Sequence, residues 1–468
     1  MESGTSKLPL SFFGEKMHTK KSDKHLLWGI GNMGEGFISM VCSTYFSFFL
    51  TDVALLPIGL MSAVSVFTSI FDFMMVPVAG AVISSYKAMK WGRYRSWLLF
   101  CPAIATLSYF ICFTVVKDNI ALTTAFIIVG FCMAKASWNI NYAANASLTA
   151  VLADNEQMRS KLASQRMIGS NAGRLCGNYL TPIIVAWAAA SSSSQDFGYK
   201  LTILITGAVY ILTNLVHFAD SKTDETKPSA TPSSKGLGAK ETFKVITENP
   251  QLFVTLLIDL TSNVASLVLP SLAVYYYKYC AQNTSLTSIH MLIIGFGGIT
   301  GAFTVRLIGN KIKDSKKWLL CLYALVALFL TGIRFVAHNP RMFMVFSAFI
   351  AIFTGMTSPF ELNLYIDNTI YYRYTKRKDA TGFIMGLSNL PVKFASIIKS
   401  TIIPLTLIIA GYTANAEPTP EIQNAIINAY TTLPCVFPIL GFVLLKFAYK
   451  FKKEDIDRMK AELETEQI

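Results

Sequence analysis

Lys135, Trp138, Asn139, Tyr142 and Ala146 fall at i, i+3, i+4, i+7 and i+11, a spacing that puts all five on one face of a helix. A cation, an indole, an amide and a phenol in one stripe suit a sugar-like ligand. Its rings stack on the aromatics, and its hydroxyls bond to the amide and the charge. Asn141 and Asn145 lie on a neighbouring face. In another apolar stretch Asn32 and Glu35 stand one turn apart among Gly29, Gly31, Gly34 and Gly36, glycines that fit close helix packing better than ligand binding. Asn389, Lys393 and Ser396 line up in a third stretch, and Glu361 with Tyr365 in a fourth. Nucleophile and metal chemistry find no such pattern. The eight cysteines (42, 101, 112, 132, 176, 280, 321 and 435) form no CxxC pair and read as buried apolar filler. The five histidines (18, 25, 217, 290 and 338) form no cluster. No catalytic residue, metal or cofactor is expected, and the chain does not read as an enzyme.

The elements that must hold these residues are strongly apolar. Of 468 residues, 53% are hydrophobic and 15% charged, and the mean hydropathy is +0.45. Soluble chains carry about a quarter charged residues. The net charge of +13 does not point to nucleic acid, whose binders carry their basic residues on a polar surface. Apolar runs near 20 residues long, which must be helical in lipid, occur at roughly 26–52, 58–85, 96–116, 119–147, 165–190, 199–219, 251–277, 288–309, 318–337, 341–370, 381–411 and 421–449. The fold expected is therefore an all-α membrane protein with twelve transmembrane helices and the lipid bilayer as a partner.

Basic residues sort between alternate loops. Lys7, Lys16, Lys20, Lys21 and Lys24 precede the first span, which no cleavable signal sequence precedes. Even loops hold Lys87, Lys90, Arg93 and Arg95, then Arg159, Lys161 and Arg166, then Lys222 to Lys244, then Lys311 to Lys317, then Arg373 to Lys378. The tail opens with Lys446, Lys450, Lys452 and Lys453, while the odd loops hold only Lys117, Lys200, Lys278, Arg334 and Arg341. This alternation predicts a multi-pass protein of the cytoplasmic (inner) membrane with both termini cytoplasmic.

The polar stretch 220–250 divides six spans from six and reads as a cytoplasmic linker, helical near 238–248. The segments are then a cytoplasmic N-terminal segment 1–25, a six-helix half 26–219, the linker, a six-helix half 251–449, and a tail 450–468 that reads as a short charged helix. The loops 86–97 and 309–318 echo each other, as do 152–169 and 365–383, so the halves look duplicated. Two six-helix halves are the plan of a major facilitator fold, with its substrate site at the midplane. Eight ionisable residues lie inside spans, where charge is costly and marks function or fixed ion pairs: Glu35, Asp72, Lys135 and Arg174 in the first half, Asp259, Glu361, Lys393 and Lys399 in the second. Two acids and two bases per half allow neutralisation within each half, and Arg174 and Asp259 read as structural members.

The segments WGIGNMGEGF (28–37), YFSFFLTDVALLPIGLMSAVSVFTSIFDFMMVPVAGAVI (45–83), KWGRYRSW (90–97) and GFIMGLSNLPVKFASIIKS (382–400) resemble the glycoside–pentoside–hexuronide:cation symporter family of the major facilitator superfamily, in order and spacing over all twelve spans. The resemblance implies that Arg166 and Lys393 bind substrate and that Asp72 is the first acid of the family's cation site. Departures accompany it. The second acid position is Val76, the amide position Met75, the span-4 hydroxyl position Asn139, and the two sugar-binding acids fall at Gly36 and Tyr142. Too few oxygen ligands remain for a bare sodium ion, and Glu35 stands one residue from the first lost acid.

These readings assemble into a secondary active transporter that moves a sugar or glycoside by alternating access in symport with a cation, H+ or Na+. Its alternatives are a cation-independent facilitator and a carrier of a non-sugar amphipathic solute. Substrate binding is assigned to Asn32, Glu35, Trp138, Asn139, Tyr142, Arg166 and Lys393, and cation coupling to Asp72, Lys135 and Asn139. The Lys135 ammonium is expected beside Asp72 in place of the lost cation, because an isolated midplane carboxylate is unstable there. Gating is assigned to Asp154 and Arg159 against the 10–11 loop with Lys376, Arg377, Lys378 and Asp379. A monomer is expected, with a small-molecule substrate and no nucleic acid.

Overall fold

The computed structural model describes residues 27–85, 89–152, 156–192, 195–222, 245–308, 314–378, 380–409, 411–412 and 417–465. The first half contains α1 (Ile30–Val53), α2 (Ile58–Ser85), α3 (Arg95–Cys112), α4 (Ile120–Leu152), α5 (Glu156–Ser192) and α6 (Gln195–Asp220). The second contains α7 (Pro250–Cys280), α8 (Ser285–Ile308), α9 (Ser315–Val336), α10 (Pro340–Lys376), α11 (Thr381–Leu387 and Leu390–Ile409) and α12 (Pro420–Ala448). A tail helix, α13 (Lys453–Thr465), returns to α10, where Tyr374 donates to Glu462 at 2.7 Å. Among the described residues, eleven of these helices are long and apolar enough to cross a membrane, and α5 and the tail helix α13 are the exceptions. Large apolar side chains such as Phe335, 83% exposed, cover the outside, where lipid rather than water is their solvent.

The fifth, tenth and eleventh helices depart from the sequence reading, and the tenth runs to Lys376 rather than to about 370, so Arg373 and Lys376 lie on it. The fifth helix begins at Glu156 rather than near 165, so Arg159, Lys161 and Arg166 extend a helix instead of filling a loop. The run EQMRSKLASQR is built from good helix formers, and hydropathy detects only the part inside the bilayer. The eleventh helix is interrupted at Ser388 and Asn389, and Asn389 turns back to the Gly386 carbonyl instead of continuing the Lys393 stripe. Of the linker, 220–222 and 245–250 are described, and 245–248 is helical.

The polar helix α5 is tolerated because α1 and α6 cover it. A Cβ on Gly169 would lie 1.9 Å from the Gly29 carbonyl oxygen, and one on Gly29 2.2 Å from the Gln165 carbonyl oxygen. The α1 and α5 backbones therefore touch, and only glycine permits it.

The duplication is visible in the backbone. At the end of α1, Ala54 N bonds Phe49 O at 2.8 Å, Leu56 N bonds Leu50 O at 2.9 Å, and Leu55 has φ 55°. At the end of α7, Ala281 N bonds Tyr276 O, Asn283 N bonds Tyr277 O, both at 3.0 Å, and Gln282 has φ 48°. Asp52 and Tyr279 are equivalent in this alignment, as are Asn32 and Asp259. The α4 and α10 helices both start from an asparagine cap, Asn119 and Asn339. Measured from those caps, Glu361 stands where the first half has Asn141, and Tyr365 where it has Asn145. The halves meet along α1 with α7, α2 with α11 and α5 with α8.

Candidate substrate and coupling site

Asp72 sits in the middle of α2, where the helix faces both α4 and α11. Its Oδ1 accepts from Asn139 Nδ2 at 2.8 Å. Its Oδ2 accepts from Lys393 Nζ at 3.0 Å and lies 3.7 Å from Lys135 Nζ. One buried carboxylate thus meets two ammonium groups, one from each half. The α2–α11 seam continues with Phe73 against Phe394, ring centroids 5.1 Å apart, and Ser69 with Ser400 at 2.6 Å. Met75 and Val76 bring no oxygen to the site.

One turn along α4, Trp138 and Tyr142 form a shelf: their rings stack at 5.4 Å with an interplanar angle of 13°. Lys135 and Lys393 each lie 5.4 Å from the Trp138 ring, and the Arg166 guanidinium lies 5.4 Å from the Tyr142 ring. The predicted stripe and the two basic residues implied by the resemblance therefore come together. The shelf also has unused donors. Trp138 Nε1 and Arg166 Nε have no partner among the described residues. Buried polar atoms are nearly always paired, so such a set marks a place where a polyhydroxy solute can complete the bonding.

Glu35 lies deeper in the same half. Its Oε2 accepts from Asn32 Nδ2 at 3.0 Å, and Asn145 Nδ2 donates to Asn32 Oδ1 at 3.2 Å. Arg166 and Arg174 are within electrostatic reach of it. Asn141 binds Tyr210 and Asn214 instead, at 2.8 and 3.2 Å. Asn32, Glu35 and Asn145 thus form one hydrogen-bonded group behind the shelf rather than separate stripes.

Neutralisation within each half does not hold. Lys393 pairs across the interface with Asp72, and the Lys399 ammonium, also in the second half, is seated on the Ser43 carbonyl of α1. Ser43 lies in a π-helical turn, Val41–Tyr45, where wider helix spacing leaves carbonyls for other donors. The acids left behind keep only neutral partners among the bonds formed by described residues. Asp259 accepts from Tyr365 at 2.8 Å and Asn263 at 2.7 Å, and Glu361 accepts from Tyr323 at 2.8 Å. A cavity lined by Thr261, Ser262, Tyr323, Thr354 and Thr357 adjoins them. The pairing rule fails because it counted charges along the sequence, whereas α11 packs against the opposite half.

Residues 27–453 match the family model described as MFS/sugar transport protein. The chain belongs to this family. Among its curated relatives are an uncharacterized symporter, YnaJ, of Bacillus subtilis (strain 168), 25% identical over 440 residues with 93% of each chain covered. The isoprimeverose transporter of Lactiplantibacillus pentosus is 24% identical, covering 88% of this chain and 85% of that one. The fold is that of the crystal structure of a D-xylose-proton symporter, with a TM-score of 0.64 at 13% identity over 91% of this chain and 96% of that one. A multi-pass membrane transporter of the major facilitator fold is therefore the frame for the site.

Members of such a family need gates, and the sequence predicts one in the loops beside the termini. Asp154 and Asp379 lie outside the described residues, as does the side chain of Arg159; Arg377 is exposed against Tyr374. Among the described residues, a buried polar assembly outside the sequence expectations lies at the opposite end. Asp52 is buried, and it accepts from Thr51 at 2.7 Å, from Tyr279, from Tyr412 and from Lys278. The YFSFFLTD segment belongs to the stretch that carries the family resemblance, and Lys278 is one of the odd-loop cations. Nothing in their spacing joins positions 52 and 278.

Proposed function

We propose that this protein imports a sugar by alternating access, with both termini in the cytoplasm, and that it couples to protons rather than sodium. The observation that carries the proposal is the double lysine on Asp72. Two ammonium groups occupy the carboxylate that the resemblance assigns to a metal cation, so sodium would have to displace fixed positive charge. The Trp138–Tyr142 shelf with its unused donors supports a sugar as solute, as do the sugar-transporting relatives. Asn32, Glu35, Asn139, Arg166 and Lys393 are assigned to the same substrate site as part of this proposal.

Proton coupling is supported by Asp259 and Glu361. Two carboxylates deep in a span with hydroxyl and amide partners are costly unless at least one carries a proton. They replace amides of the first half in the duplicated plan, so the two halves carry different chemistry at matching places. A sugar bearing an acid group is favoured within the sugar class. Asp72 with Lys135 and Lys393 holds one negative and two positive groups, and Glu35 with Arg166 and Arg174 does the same. Basic residues concentrated on alternate loops support the orientation.

The test is uptake by proteoliposomes holding the full chain. Isoprimeverose, D-xylose and D-glucuronate are offered in sodium or choline buffer, with or without an inwardly directed proton gradient. The proposal expects uptake that follows the proton gradient and ignores sodium. Uptake that requires sodium, or a carrier that moves none of these solutes, would overturn it.

A further inference from the structure

Asp52 stands at the last turn of α1, in the π-helical segment Phe49–Val53, and Lys278 and Tyr279 stand in the matching segment of α7, Tyr276–Cys280. Tyr412 follows the end of α11. The Asp52 side chain is fully buried, and Lys278 is 19% exposed. Donors reach its two oxygens from α7 (Lys278 and Tyr279) and from the end of α11 (Tyr412), all in the second half. Thr51 ties the same knot to Tyr275 at 2.9 Å, and Tyr279 meets Tyr412 at 3.1 Å. Bonds to an ionised acceptor are about twice as strong as neutral ones, and this one is withdrawn from water.

The position of the knot matters as much as its strength. Among the bonds formed between described residues, those of side chains that join the halves run from the midplane to this end: Asp72 to Lys393, Ser69 to Ser400, Lys399 to Ser43, Thr51 to Tyr275, and the Asp52 group. It is the end away from the termini. Asp52 and Tyr279 are also equivalent residues of the two repeats, so they face each other across the axis about which the halves are related. Rocking one half against the other about the midplane pulls contacts at this end apart, the more so the farther they lie from the midplane.

We infer that Asp52 is the latch of the gate at the end remote from the termini: its bonds to Lys278, Tyr279 and Tyr412 hold that end shut, and their loss opens the midplane site to that side. Thr51 and Tyr275 flank the latch, and Phe48 packs on Tyr275 with ring centroids 5.3 Å apart, behind the closure. Phe48 is buried while the gate is shut.

Phe48→Cys supplies a reporter, in a full-length chain whose native cysteines are replaced by serine. A membrane-impermeant maleimide is applied to proteoliposomes from either side in turn. The latch predicts slow labelling from the side remote from the termini, and an increase of at least tenfold from that side alone in Lys278→Met and Asp52→Asn. Tyr412→Phe, which keeps the charge pair and removes one donor, raises labelling by a smaller factor and remains informative if the other two variants fail to fold. Unchanged labelling in the variants that fold, or a rise from the side of the termini, would overturn the latch. The readout needs no solute, so it stands apart from the choice of substrate and coupling ion.

Discussion

Replacing Asp72 by asparagine keeps the shape of the site and the means to bond Asn139, but it removes the negative charge between two lysines. At an effective dielectric of about 20, the attractions at 3.0 and 3.7 Å amount to about 5.5 and 4.5 kcal/mol. Much of this is offset when the ammonium groups turn to water, since Lys393 and Lys135 are 23% and 19% exposed. Breaking a buried ion pair by removing one partner typically costs about 3–5 kcal/mol, and the upper part of that range applies where two cations lose the same acid. Asp72→Asn should therefore unfold markedly earlier than the parent in a detergent melt. The second step decides the cause. Lys135→Met added to Asp72→Asn relieves the repulsion with Lys393 and recovers part of the loss. In the parent the same change removes an attraction and destabilises. The opposite signs are a double-mutant coupling that packing alone would not produce. Equal stability of Asp72→Asn and the parent, or a further loss on adding Lys135→Met, would refute the charge-compensation account.

The remaining expectations are independent of that cycle. Trp138→Ala should raise the half-saturating sugar concentration at least tenfold, while Trp138→Phe retains most affinity, because the ring face does the stacking; equal effects in saturation uptake assays would count against the shelf. Glu361→Gln should abolish accumulation driven by a proton gradient yet leave sugar exchange across the membrane, and loss of both activities would show a structural role instead. Gly169→Val should prevent folding, because its Cβ enters the Gly29 carbonyl, whereas Gly59→Ala meets nothing within 4 Å and should leave the yield of monodisperse protein unchanged.

The α4 stripe was readable in advance because helical spacing is local. Residues at i, i+3, i+4 and i+7 share a face whatever the helix packs against, and Lys135, Trp138, Asn139 and Tyr142 remain together. The span pattern was readable for the same kind of reason: lipid imposes length and polarity on each helix separately. The start of α5 was not, since hydropathy ends where the bilayer ends and EQMRSKLASQR continues as helix beyond it. Pairing was the larger loss. Charge balance in each half suggested local neutralisation, but Lys393 and Lys399 both reach into the first half.

The amino-acid sequence is enough to predict a membrane carrier of twelve helices built as a duplication, with an aromatic and cationic stripe on its fourth helix. Those properties follow from composition, period and order, which need no knowledge of neighbours. Tertiary structure alone decided that Asp72 takes a lysine from each half, that Asp259 and Glu361 keep neutral partners, and that Asp52 is tied to Lys278, Tyr279 and Tyr412. Each is a contact between residues distant along the chain, set by which helices pack together. A buried charge takes its character from the partner that packing brings to it.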